Sequence, residues 1–366
     1  MIYPPQKAKS LHPDIRLTIR HIFLALNLFA CCAYHVSAQT IQDDSLHTAI
    51  LRGIELSGRQ DYDAAGVTFD EAIRYAPGHP AGYLFKAILF QVMSLDYEVP
   101  LEEREYNKLL RRTRDLANGM IERDSRSAEG YFYLGMSHSY SAYHTFRDGK
   151  SWVDGLSHGM DAYDNLERCL ELDRKAYESM TGLGTYMYWK SRKMDFLTWT
   201  PFVEDERSKG IALLKRAEKY AKYTSSQATN SLIWIYIDEE RYGDAITSAQ
   251  RVLRRYPDHR LYLWGLASAA EGLEKWDLAR SAYERIVASI EREQHDTRYI
   301  ELQARAKIAL MAFRLGDMQT ARQESAWVWS QRSSSLAGLT PDAKDRIERR
   351  FEEIEELREA LRALGK

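Results

Sequence analysis

The sequence predicts an all-α fold: an α-solenoid of about seven helix pairs closed by a C-terminal capping helix. Three observations predict it. First, YDAAGVTFDEAIRYAPGHP at 62–80 places small residues at Ala65 and Ala72, an aromatic at Phe69 and a proline at Pro77, and RYGDAITSAQRVLRRYPDH at 241–259 repeats the arrangement. Small residues two helical turns apart let neighbouring backbones approach, and the proline ends the unit because it cannot continue a helix. Second, glycine (20) and proline (9) are sparse among 366 residues, as packed helices require and long linkers do not. Third, the chain ends in PDAKDRIERRFEEIEELREALRALGK, where Ile347, Phe351, Ile354, Leu357, Leu361 and Leu364 form one apolar stripe on an otherwise charged helix.

The first element is a targeting segment, expected over residues 1–38. Lys7, Lys9, Arg16 and Arg20 make a basic front, the apolar run IFLALNLFACCAY follows from Ile22, and Val36-Ser37-Ala38 supplies small residues before Gln39. The pattern predicts a bacterial exported protein, periplasmic, associated with the outer membrane or secreted. Leu28-Phe29-Ala30-Cys31 also resembles a lipoprotein box, which makes Cys31 a candidate for lipidation and the only expected tie to a membrane. Cleavage after Ala38 removes Cys31 and Cys32, so Cys169 is left alone and no intrachain disulfide is available. The remaining body is acidic and offers no electrostatic footprint for nucleic acid.

Residues 39–332 carry the repeats. Unit 1 shows Gly53, Ala65, Phe69, Ala72 and Pro77; unit 2 opens with Tyr83, Ala87 and Phe90; unit 3 with Tyr131, Leu134 and Gly135; unit 4 with Met180, Leu183 and Gly184. Unit 5 has Leu232, Tyr236, Ala245, Ala249 and Pro257; unit 6 has Leu266, Ala267, Ala279 and Tyr283; unit 7 has Ile308, Ala309, Gly316 and Ala321. These residues resemble the tetratricopeptide repeat (TPR), a 34-residue helix–turn–helix unit with helices A and B. The resemblance implies a right-handed solenoid and a non-catalytic role in binding protein or peptide.

The spacing departs from the repeat in the middle. The position that packs helix A on helix B falls at 53, 87, 135, 184, 233, 267 and 309, so three successive units are lengthened. Pro100, Gly149 and Pro201 lie in the added stretches, which predicts three long A–B loops on one rim of the solenoid. That rim carries Tyr97, Tyr143, Phe146, Trp152, Phe196, Trp199 and Phe202, either covering the helices or forming a binding surface. Residues 333–366 are expected to be a linker and the cap; dimerisation through its stripe is the alternative.

The resemblance also places a ligand groove on helix A of successive units. Its positions hold Phe132, Met136 and Tyr140; Thr181, Thr185, Tyr188 and Trp189; Asn230, Trp234 and Asp238; Trp264, Ser268 and Glu271; and Ala306, Leu310 and Phe313. Tyr and Trp suit peptide anchoring because they combine large apolar area with a polar handle. Asn230 takes the place of an asparagine that binds peptide backbone in many such grooves, whereas Trp234 is most easily explained by packing between repeats. The groove positions carry no Lys or Arg, so no acidic C-terminal tail is expected as ligand.

No catalytic constellation stands out, and no enzyme activity or cofactor is expected. Gly182-Leu183-Gly184 lacks a third glycine and fits tight helix packing better than a nucleotide loop. His138, His144 and His158 are spaced by 6 and 14, not by the one-turn interval of a helical zinc motif, so no metal site is expected. Cys169 occupies a packing position. The competing functions are a lipid-anchored component of outer-membrane protein assembly, and a glycan-binding module or an enzyme whose carboxylate pair is assembled by the fold.

Overall fold

The computed structural model describes residues 41–99, 102–148, 151–193, 204–290, 298–333, 339 and 341–364, with the backbone alone for Asp148, Trp152, Pro341 and Asp342. The expected signal segment with Cys31 lies outside the described residues, as do Phe196, Trp199, Phe202 and the side chain of Trp152.

Among the described residues every regular element is a helix, and fourteen of the fifteen fall into seven A–B pairs. The pairs are α1 (Asp44–Gly58) with α2 (Tyr62–Tyr75), α3 (Pro80–Tyr97) with α4 (Glu103–Arg123), α5 (Ala128–Asp148) with α6 (Trp152–Leu172), and α7 (Tyr177–Lys193) with α8 (Arg207–Tyr220). Then come α9 (Ser225–Asp238) with α10 (Tyr242–Leu253), α11 (Arg260–Gly272) with α12 (Trp276–Ile290), and α13 (Arg298–Arg314) with α14 (Met318–Ser330). A last helix, α15 (Pro341–Leu364), follows. Each helix packs on its sequence neighbours, and successive A helices also touch from α1 to α11, the pattern of a solenoid.

Four of the A–B turns share one construction. The N–H of Asp61, Arg241, Lys275 and Asp317 donates to the carbonyl five residues back, at 3.0, 2.7, 2.9 and 2.9 Å. The residue before each, Gln60, Glu240, Glu274 or Gly316, is left-handed, with φ of 62°, 56°, 54° and 78°. This is the Schellman stop, which satisfies carbonyls that the helix end leaves open. Asp61 and Asp317 then cap the next helix, accepting the N–H of Ala64 and Thr320. The regular turns therefore follow from local chemistry before any packing.

Within a pair, the small positions set the approach. A Cβ added at Gly184 on α7 would lie 2.7 Å from the carbonyl oxygen of Gly210 on α8, so only glycine admits this crossing. The Gly182–Gly184 segment is thus a packing feature, as expected. Cys169 is buried, and its thiol donates to the carbonyl of Ala128 at 3.0 Å.

Two of the three lengthened units correct the expectation of long loops; the third, between Lys193 and Arg207, falls mostly outside the described residues. α3, α4, α5 and α6 run to 18, 21, 21 and 21 residues, against 12 in α10, and only 98–102 and 149–151 connect the first two lengthened pairs. The added residues can continue the helices because they keep an apolar face: Tyr106, Leu109, Leu110, Thr113 and Ala117 are all buried along α4. Tyr97 is likewise no rim residue; it is buried at the end of α3. Tyr143 and Phe146 are exposed on the last turns of α5, with the Lys193 ammonium 5.1 Å above the Phe146 ring.

The C-terminal stripe is covered inside the chain. Ile347, Phe351, Ile354, Leu357 and Leu361 are buried, and only Leu364 is exposed. α15 packs on α13 and α14, and Arg346 and Arg350 donate to the Tyr299 hydroxyl at 2.8 Å and to Gln303 Oε1 at 3.0 Å. The stripe works as a cap, and the dimer that would need it uncovered is not compatible with this packing.

The coil also meets itself, which the repeat pattern did not announce. Tyr223, in the α8–α9 connection, accepts the N–H of Ile41 at 3.3 Å, bonds His47 Nδ1 at 2.6 Å and lies 6.0 Å from the Phe85 ring. Glu55 on α1 accepts from the Tyr256 hydroxyl at 2.7 Å and from Arg255 at 2.6 Å. Asp96 at the end of α3 pairs with Arg260 at the start of α11, both fully buried. Glu98 reaches Arg147 on α5 at 3.1 Å and Arg346 on the cap at 2.8 Å. Repeats 1 and 2 therefore sit against repeats 5 and 6 and the cap, and the inner wall is not open along its whole length.

Candidate functional site

Most of the expected groove residues are buried or half-buried. Phe132 and Met136 are buried, with the Phe132 ring 4.9 Å from that of Tyr133. Tyr140 is half-buried, and its carbonyl accepts from Tyr106 at 3.0 Å. Tyr188 is fully buried; its hydroxyl donates to Asp238 Oδ2 at 2.6 Å, and Arg192 donates to the same oxygen at 2.8 Å. Burial first, and the bond to Asp238 second, push the Tyr188 hydroxyl far above the usual tyrosine range. Trp189 meets Tyr188 edge-on at 5.1 Å, and Trp264 meets Tyr283 edge-on at 5.3 Å; both are half-buried.

The neighbouring polar positions stitch A helices together. Thr185 donates to Ser231 at 2.9 Å, and Thr181 shares a 2.9 Å bond with Thr224. Glu271 accepts from Tyr283 and from Lys307 at 2.8 Å. Of the last unit's groove residues, Ala306 is buried, and Leu310 and Phe313 are half-buried against the core.

One stretch of the inner wall differs. Trp234 on α9 is 37% exposed, the most accessible tryptophan ring among the described residues. Its exposure fits the expected groove position better than the alternative of packing between repeats. One turn before it, Asn230 Oδ1 is buried without a hydrogen-bond partner, and Gln227 Oε1 one turn further back is in the same condition. An unpaired buried carbonyl oxygen costs about 1–3 kcal/mol until it meets a donor. Positions 227, 230 and 234 lie on one helical face, with the two amide oxygens buried beneath the accessible indole. Gln227 escaped the sequence reading; its spacing of three from Asn230 was the available signal.

A second cluster joins residues that their spacing kept apart. α5 and α6 bring His138 Nδ1 to 3.1 Å from His158 Nδ1, and Asp161 Oδ2 lies 3.4 Å from His138 Nδ1. Burial holds the His138 imidazole down to about 4, with the nearby Arg114 charge adding and Asp161 opposing. His158 is lowered for the same reasons. His144 stands elsewhere, 3.8 Å from Glu103 and edge-on to Tyr106. A cleft of about 410 Å³ in repeats 4 and 5 is lined by Lys215, Glu218, Tyr236 and Arg251, with Glu218 and Arg251 paired at 2.9 Å.

The fold is that of a TPR-type α-solenoid with a capping helix. Residues 230–293, in repeats 5 and 6, match a family model described as tetratricopeptide repeat. Among solved structures, the chain is similar to TTC0263, a thermophilic TPR protein of Thermus thermophilus, at 16% identity over 63% of this chain and 99% of that one, with a TM-score of 0.39. It is similar to PilW, a type IV pilus biogenesis factor, at 13% identity over 68% and 95%, TM-score 0.45, and to a tetratricopeptide repeat protein of Parabacteroides merdae at 11% identity over 84% and 99%, TM-score 0.36. At these values the likeness concerns the helical repeat alone. No curated protein is significantly similar to the chain.

Proposed function

We propose that this chain is a non-catalytic protein-interaction scaffold of the bacterial cell envelope. It captures a peptide segment or protein surface on the inner face of α9. A TPR-type solenoid is a binding frame and not a catalyst, and its side chains here serve packing and recognition. The observation that carries the reading is the accessible Trp234 on α9. An extended segment would bury the indole, whose large apolar area and N–H handle suit a peptide anchor. The closed coil supports preorganisation, because a rigid frame loses little entropy on binding. The envelope location rests on the basic front, apolar run and small residues of the first 38 positions, and Cys31 provides for a lipid anchor at the outer membrane.

A photo-reactive amino acid placed at Trp234 in the native host tests the binding face, with the exposed Val67 on α2 as the control position. A discrete adduct at 234 and none at 67 is the expected result; the same adduct pattern at both positions would remove the α9 assignment. Labelling with a palmitate analogue tests the anchor, and its absence on a Cys31-containing precursor would leave only a soluble exported form.

A further inference from the structure

We propose that His138, His158 and Asp161 form a binding site for a divalent transition cation of the zinc class at the α5–α6 crossing. The three donor atoms converge with the spacing such an ion imposes. Zinc–nitrogen and zinc–oxygen bonds of roughly 2.0–2.2 Å put neighbouring donors of a tetrahedral site about 3.3 Å apart. The distances here are 3.1 Å between the two Nδ1 atoms and 3.4 Å from His138 Nδ1 to Asp161 Oδ2, and all three donors lie within 4.8 Å of one another.

The helices explain why the donors face each other. His158 and Asp161 are three residues apart, hence one turn apart on the same face of α6, and α5 supplies His138 from across the pair. Gly159, next to His158, is where the Tyr186 ring comes within 3.1 Å of an added Cβ, so the segment is firmly packed. Asp161 is half exposed while His138 is largely buried, which gives the ion an entry from solvent and leaves a fourth position for water or a partner's side chain. Two imidazole nitrogens and one carboxylate oxygen suit zinc, nickel, cobalt or copper better than calcium or magnesium.

Electrostatics cut both ways. The Arg114 guanidinium, held by Ser137 Oγ at 3.0 Å and Ser141 Oγ at 3.2 Å, opposes a cation. The Asp161 carboxylate, 3.4 Å from His138 Nδ1, favours one.

The test is titration of the purified mature chain with Co2+ and then Zn2+, read by ligand-field absorption and calorimetry. One Co2+ per chain, displaced by Zn2+ with a dissociation constant in the micromolar range, is expected. His138→Ala and Asp161→Asn should each weaken binding roughly tenfold or more, while His144→Ala leaves it unchanged. Zn2+ should also protect His138 and His158, and not His144, from diethylpyrocarbonate in the unmutated chain, a readout that does not depend on the variants folding. Absence of saturable one-to-one binding, or protection that ignores His138 and His158, would overturn the proposal.

Discussion

Asp96 receives two N–H groups of Arg260, a residue 164 positions further along the chain, at a point where neither side chain reaches solvent. The Nε bond to Oδ1 is 2.9 Å long. Tyr62 and Gln60 donate to the other oxygen at 2.9 and 2.8 Å, and the Tyr97 ring lies under the guanidinium at 5.4 Å. A buried carboxylate thus has four donors, and a buried guanidinium has a bidentate partner and an aromatic face. Removing Arg260 alone leaves the carboxylate short of its counter-charge. Arg260→Met should lower stability by about 3–5 kcal/mol in chemical denaturation. The double variant Asp96→Leu with Arg260→Met should recover a large part of that loss; equal damage from both would mean that the pair does not act as a unit.

The repeat turns yield an opposite sign. Glu274 holds φ at 54° with an exposed side chain, a conformation that costs an ordinary residue about 1–2 kcal/mol. Glycine removes that strain and gives back part of the gain as chain entropy. Glu274→Gly should therefore raise stability by roughly 0.5–1 kcal/mol, seen as a higher denaturation midpoint. Gln60→Gly, at the same register, should not, because the Gln60 side chain donates to Asp96 and accepts from the Arg260 N–H.

Gly184 permits no side chain. With the Gly210 carbonyl 2.7 Å from where a Cβ would sit, Gly184→Ala must part α7 from α8. The expected cost is about 1–3 kcal/mol, measured by the midpoint shift, with Gly243→Ala on α10, where nothing lies within 4 Å, as the harmless control.

Acid should loosen the coil at its closure. His259, at the head of α11, is held at about 4 against an ordinary 6.5, chiefly by burial, with Asp96 partly offsetting it. The folded chain then binds fewer protons than the unfolded one. Its stability is complete above the ordinary value and falls as pH drops from about 6.5 toward about 4. His259→Gln should make that part of the profile shallower, with His138 supplying much of the remaining slope, as measured by denaturation midpoints between neutral pH and about pH 5. An unchanged profile would place the acid sensitivity elsewhere.

The regular units were readable because their determinants are local. Gly53, Ala65, Phe69, Ala72 and Pro77 specify a hairpin by size and backbone chemistry, and the stripe from Ile347 to Leu361 specifies a cap by its period. Two of the lengthened units were not, since the stretches holding Pro100 and Gly149 read as long loops although α3 to α6 take up most of their length. The groove was legible in position but not in state. Tyr188 and Phe132 occupy inner-wall positions, yet whether such a ring is buried depends on chain far away in sequence. The same holds for Asp96 with Arg260 and for Glu55 with Arg255, whose partners have no sequence relation. His138 and His158 were judged on one helix, whereas the fold joins them across two.

The self-contact of the coil carries the rest of the account, and a zero-length cross-link tests it most directly. Arg255→Lys places an amine at the 2.6 Å contact with the Glu55 carboxylate, and carbodiimide should fuse the two as one linked peptide pair. The native pairs Lys86–Asp70 and Lys307–Glu271, at 2.6 and 2.8 Å, provide the internal standard of reactivity. A 55–255 link formed as readily as those two is the predicted result. Efficient links at both standards with none between 55 and 255 would mean an open solenoid whose first repeat never reaches its fifth.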